Sequence, residues 1–382
     1  MKELKSFGLF IFLFINSFSV QSQDSKWTTQ FNGYIKYMQT LGMTPNTSLQ
    51  VDNLVHNRLN FKFYNTTHST FVVQVRNRLF YGDAVKQIPN YGAFINQYDG
   101  VLSLEILWGD TNNYVLSTIV DRAYYDYTSD KFRLRIGRQR INWGINTTWN
   151  PNDLFNSYNI YDFDYEEREG AAAVRLTLYP GFLSSIDIAY KFTGSSDTDI
   201  AALRYKFNKF AYDWQFLVGK FQNQFSFGTG WAGSISTLGF KGEATYFSGS
   251  EGSNISASTS LDYSWSNGFY LLGTYLLNTT GSASPIDPEL SVFEVPNAEF
   301  LMPAKHNFML SSSYMINPIL NSSLGFVYSP GANSLTVLPT ITLSVKTNID
   351  LDLIGQFFWQ ELPIAPFANL GNGVYWRFKY SF

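Results

Sequence analysis

The residues best suited to chemistry gather in one stretch, 132–175. Arg133 and Arg135 alternate with Phe132, Leu134 and Ile136, and Arg138 and Arg140 follow. Trp143, Trp149 and Asp153 lie in a segment rich in Asn, and Asp162, Asp164, Glu166, Glu167 and Glu169 end it. Guanidinium groups stay charged and are weakly hydrated, so they can line a polar passage without losing charge. Rings of such charges set ion and solute selectivity. The same alternation elsewhere adds Arg58, Arg76, Arg78, Arg122, Arg175 and Arg204. A basic wall facing an acidic loop makes a transverse field, with Trp143, Trp149, Tyr158 and Tyr161 as flat faces for sugar rings. In the competing reading the charges pair and fill the space, because a buried charge needs a partner.

Other chemistries fit poorly. Asp162, Asp164 and Glu166 have alternate spacing, but no Gly follows at the turn position of a calcium loop, so no metal site is expected. The chain has no Cys, which excludes a disulfide framework and a thiol nucleophile. His56, His68 and His306 are the only histidines, and none has a partner set for nucleophilic catalysis. Neither an enzyme nor a cofactor is expected. The net charge of −3 does not suggest nucleic-acid binding.

The elements that must position these residues are strands. Aromatic residues make up 18 % and charged residues 15 %, while mean hydropathy is slightly negative. A chain both aromatic-rich and polar suits transmembrane strands, which alternate apolar and polar residues. Period-2 alternation recurs almost from end to end. Val55, Leu59, Phe61 and Phe63 face one way; His56, Arg58, Asn60 and Lys62 face the other. Short turns such as Thr128-Ser-Asp-Lys131 and Tyr179-Pro-Gly-Phe182 alternate with longer loops, among them 82–113 and 279–303. Gly228 to Gly242 is glycine-rich, and the expected consequence is a sharply curved wall.

The ends carry delivery signals. Lys2, Lys5 and the apolar run 7–18 read as a signal peptide over residues 1–22, cleaved before Gln23. Val374, Trp376, Phe378, Tyr380 and Phe382 alternate with Tyr375, Arg377 and Lys379, and resemble the C-terminal insertion signal of outer-membrane barrels.

Two further stretches carry a family resemblance. They are Gly137-Arg-Gln-Arg-Ile-Asn-Trp-Gly with Trp149-Asn-Pro-Asn-Asp-Leu-Phe, and Gly230-Trp-Ala-Gly with Gly239-Phe-Lys-Gly-Glu-Ala-Thr-Tyr-Phe247. Together they resemble an alginate-export-like, porin-like barrel family of Bacteroidota, which implies a Gram-negative outer-membrane protein.

The resulting expectation is an all-β chain: a signal peptide, 1–22, then a single transmembrane antiparallel β-barrel, 23–382. About 18 strands are expected, in a range of roughly 16–18, with a long loop folded into the lumen. Both termini are placed in the periplasm. The expected function is a porin-like channel for small polar solutes, anionic or sugar-type, lined by Arg76, Arg78, Arg122, Arg133, Arg135, Arg175 and Arg204. Trp149, Asp153, Asp162, Asp164, Glu166 and Glu167 are expected at its constriction. The alternative is a non-conducting barrel that acts as a subunit of a larger outer-membrane complex. Expected partners are outer-membrane lipid, lipopolysaccharide, the barrel-assembly machinery and possible partner subunits.

Overall fold

The computed structural model describes residues 27–382 except 46, 66–67, 96–100, 102–103, 158, 165–169, 251, 287–295 and 363–366. The expected signal peptide, Tyr158, Glu166, Glu167 and Glu169 lie outside the described residues. The strands are β1 (Thr28–Met43), β2 (Gln50–Tyr64), β3 (Ser69–Gly82), β4 (Glu105–Asp110), β5 (Val115–Thr128) and β6 (Phe132–Gln139). After the long loop come β7 (Ala171–Gly181), β8 (Ser184–Lys191), β9 (Ile200–Lys209), β10 (Tyr212–Phe221), β11 (Gln224–Ile235) and β12 (Leu238–Gly249). The last are β13 (Gly252–Ser264), β14 (Phe269–Asn278), β15 (His306–Asn317), β16 (Leu320–Ser329), β17 (Ser334–Lys346), β18 (Ile349–Gln360) and β19 (Ala368–Ser381).

Each strand pairs antiparallel with its neighbours, and β1 pairs β19 from Tyr34↔Ser381 to Met43↔Asn372. That pairing closes the sheet. A closed sheet leaves no edge, which lipid demands because it offers no partner to a free backbone group. Only β4 stands apart. It pairs with the upper half of β5 alone, while β3 runs directly against β5. The other eighteen strands make the wall, the count that the alternation predicts. β4 and two short helices, α1 (Asp83–Gln87) and α2 (Tyr91–Ile95), occupy the segment read from sequence as plain loop.

The alternation sorts the two faces as expected. Phe31, Ile35, Ile136, Ile188, Phe227, Leu310 and Leu353 are large apolar side chains that face outward and are exposed. Lys36, His56, Arg58, Gln74, Arg76, Asp187, Gln215, Thr245 and Asp352 face inward and are buried. Val374, Trp376, Phe378, Tyr380 and Phe382 share the outward parity of β19 and its end. Backbone bonds between Gly33 and Phe382, both 2.9 Å, continue the seam beyond β19.

One end of the barrel carries short turns together with Thr28 and Phe382. The long loops, 83–114, 140–170 and 279–305, leave from the other end. The apolar core sits inside the lumen. One cluster joins Ile141, Trp143, Leu154 and Phe155 to wall residues Ala173, Ala189, Leu217 and Phe247. A second joins Trp149 to Leu276, Leu301, Met302 and Val327.

Candidate functional site

The 140–170 loop enters the lumen because the wall strand under it ends early. Gly137 adopts φ +121°, and a Cβ there would lie 2.3 Å from the Ala123 carbonyl oxygen. This left-handed residue breaks the alternation of β6, so Arg138 and Gln139 are both buried. Gln139 Nε2 donates to the Ala173 carbonyl at 3.0 Å. From there the chain turns inward.

Three asparagines then bond to successive wall strands. Asn146 Nδ2 donates to Ser258 on β13 at 2.8 Å. Asn150 Nδ2 donates to Glu243 on β12 at 2.9 Å, and Glu243 also accepts the Ile145 amide at 3.0 Å. Asn152 Nδ2 donates to the Thr229 carbonyl on β11 at 2.9 Å, and its Oδ1 accepts from Thr245 at 2.7 Å. The glycine-rich motif accounts for this fit. A Cβ on Gly228 would lie 2.6 Å from Asn152 Oδ1, and one on Gly230 2.9 Å from Ile145 Cδ1. Curvature was the expected role of these glycines; close approach of the loop is the role the structure shows. The two stretches that carry the family resemblance are therefore the two halves of one contact.

The far end of the loop reaches the seam between first and last strands. Lys36 Nζ on β1 donates to Asp164 at 2.8 Å, and Arg377 Nη1 on β19 donates to it at 3.1 Å. His56 Nδ1 on β2 lies 3.3 Å away. Arg377 also donates to Asp352 at 2.9 Å. Burial opposes the charge on Asp164, but His56 and Lys36 outweigh it and hold the carboxyl well below the usual carboxylate range. Asp162 behaves oppositely: burial, then the ionised Asp164, push its carboxyl up.

The arginines on the strands from β2 round to β9 form repeated triads, two guanidiniums to one strand carboxylate. Asp121 accepts from Arg58 at 2.5 Å and forms an ion pair with Arg76, 3.1 Å away. Asp126 accepts from Arg133 Nε and Arg135 Nη2, each at 2.7 Å. Asp187 accepts from Arg175 Nη2 at 2.9 Å, from Thr177 and from Arg204. Each triad keeps one net positive charge. Arg133, Arg135, Arg175 and Arg204 thus have strand carboxylates as partners, and Asp153 of the loop also acts on Arg204. Cross-strand neighbours on one face lie about 5 Å apart, so strand carboxylates reach them first. The described loop carboxylate that does bind cations, Asp164, meets Lys36, His56 and Arg377, which the sequence reading did not select. Shared parity was the available signal for Asp126 and Asp187. Nothing local marked the seam.

The remaining selected residues are placed as follows. Arg78 faces inward and donates to the Ile95 carbonyl at 3.3 Å, beneath α2. Arg122 sits at an irregularity where Asp121 is skipped in the β3 register. Trp149 and Asp153 are 1 % and 0 % exposed, inside the packed loop rather than along an opening. Arg58 and Arg76 are also buried, at 2 % each. Arg133, with a side chain 41 % exposed, and Arg175, at 21 %, keep free surface. With Arg135, Thr177, Tyr179 and Ser185 they line a cavity of about 200 Å³ near the short-turn end.

The solved structures most similar in shape include OccK5 (OpdH) of Pseudomonas aeruginosa, at 10 % identity and TM-score 0.58. It covers 93 % of this chain and 98 % of that one. OccAB4 of Acinetobacter baumannii matches at 10 % identity and TM-score 0.57, over 93 % and 98 %. Salmonella typhi OmpF, in complex with daunomycin, matches at 12 % identity and TM-score 0.50, over 93 % and 97 %. The fold is a porin-like outer-membrane barrel. No family model and no curated protein matches the chain.

A pH dependence of the porin-like barrel follows from Asp164. A carboxyl held low favours the docked loop at pH values above about 4, and this contribution fades as pH falls from there through its docked value. Amides at 160–164 should therefore stay equally protected from hydrogen exchange between pH 8 and 5, and lose protection only below about 4. Asp164→Asn should show the loose behaviour already at pH 7. Equal protection in both proteins at pH 7 would remove Asp164 as an anchor.

Proposed function

We propose that the protein is an outer-membrane channel for small anionic solutes, with the 140–170 loop as its constriction. The observation that carries this reading is the cavity lined by Arg133, Arg135 and Arg175. Two of these arginines keep exposed surface, and their triads with Asp126 and Asp187 are net positive, so an anion meets unspent attraction there. The likeness to porins supports the channel class, and the solute class rests on the arginines. Bacteroidota origin and the alginate-export-like family rest on the two motif stretches. Trp149 and Asp153 act in this reading by holding the loop, not by touching solute. Val374, Trp376, Phe378, Tyr380 and Phe382 serve as the insertion signal read by the assembly machinery, with both termini periplasmic.

A specific observation favours the second reading. Two apolar clusters pack the lumen, as a closed subunit of an outer-membrane assembly requires. The readings part on conductance. Purified protein in a planar bilayer should give stepwise single-channel currents with anion preference. A barrel that stays silent while folded would favour the subunit.

A further inference from the structure

The short-turn end carries apolar side chains where polar turn residues are ordinarily found. Phe182 and Leu183, between β7 and β8, are 101 % and 61 % exposed. Phe210, between β9 and β10, is 81 % exposed. Trp265 and Ile319 are exposed in the β13–β14 and β15–β16 turns, whereas Ile235 and Val345 are exposed within β11 and β17, beside the polar turns Ser236-Thr237 and Thr347-Asn348. The β5–β6 turn reads Thr128-Ser-Asp-Lys131 and is polar.

Phe210 is also backbone-strained. Phe210 and Ala211 have φ +58° and +61°, both in the left-handed region. Hairpin turns of this type favour Asn and Gly there, because a side chain at positive φ crowds the following carbonyl. A strained, exposed Phe gains nothing from water. The apolar tips are continuous with the outward apolar belt, through Leu203, Tyr205, Phe216 and Leu238, all exposed on the same strands. Lys209 Nζ lies 5.0 Å from the Phe210 ring centroid. That pairing suits a ring below the headgroups with an ammonium among them.

Resting on the membrane-barrel reading, we propose that the β7–β8 and β9–β10 turns are immersed in the lipid leaflet at the short-turn end. The β5–β6 turn stands in water, so the barrel sits tilted or sunk on one side. The occupant is lipid at the acyl–headgroup boundary. The tips then anchor depth and tilt, as aromatic girdles do on strands.

The absence of Cys makes the test direct, because each introduced thiol is unique. Phe182→Cys, Phe210→Cys and Ser129→Cys would each carry one fluorophore in the full chain, folded in phosphatidylethanolamine–phosphatidylglycerol nanodiscs. Acyl-chain nitroxide lipid should quench positions 182 and 210 at least about twofold more than 129, with iodide showing the reverse order. Equal iodide access at all three would overturn the proposal, and would leave a protein partner as the occupant of the tips. Phe182 and Phe210 are exposed and Ser129 is half-buried, its hydroxyl bonded to the Phe132 backbone, so the heat-modifiable gel shift of the folded barrel checks that each variant folds. The channel reading can fail, through silent bilayers, while this one stands.

Discussion

Replacing Trp149 by Ala will raise the conductance of the barrel and make its current noisy. Trp149 is 1 % exposed and packs on Leu276, Leu301, Met302 and Val327 inside the lumen. Its carbonyl accepts from Ser258 at 2.8 Å, a bond that the substitution keeps. Trp→Ala in a packed core costs about 3–5 kcal/mol, on the order of a 10²- to 4×10³-fold shift from docked to undocked loop. The cost falls on the loop because the wall is held by its own ladder. The thermal transition of the barrel should move little, while proteolytic cleavage within 141–164 accelerates. Unchanged conductance together with a protease-resistant loop would show that the second cluster does not hold the constriction. Asn150→Ala tests the neighbouring contact and should move both readouts in the same direction by less.

On the proposed anion-channel reading, neutralising Arg133 and Arg135 together will turn the selectivity toward cations. Both arginines share Asp126. Their loss changes that triad from one net positive to one net negative charge, beside a cavity that Arg175 still lines. In a confined space of low dielectric such a sign change is poorly screened. The reversal potential under a salt gradient is the measurement, and it should shift toward the cation value in Arg133→Ala/Arg135→Ala. Asp126→Asn should shift it the opposite way, since it removes the counter-charge and keeps both guanidiniums. Two unmoved reversal potentials would take this triad out of the conducting path.

The wall was legible because its determinants are local. Inward His56, Arg58 and outward Val55, Leu59 alternate within a few residues, and lipid punishes any error of parity. The strand count and the face of Val374, Trp376 and Phe378 follow from that rule. Where the rule is broken, the sequence misleads. Gly137 and the skipped Asp121 shift parity at two places, which hides Asp121 and sends the chain inward. The polar partners were less legible. Arg175 and Asp187 lie twelve residues apart and meet through strand register, whereas Lys36, Asp164 and Arg377 meet across the whole chain.

The sequence by itself determined a closed barrel of alternating faces, with arginines inside and a charged, Trp-rich loop beside them. Only the tertiary structure decided what the loop does with its charge. It turns Trp143 and Trp149 into core and fits Asn150 and Asn152 against Glu243, Thr245, Gly228 and Gly230. It carries Asp164 to the seam, where Lys36 and Arg377 of the wall meet it. The reason is physical: alternation is written in neighbours along the chain, but a loop inside a barrel chooses its partners by shape and charge around a closed wall.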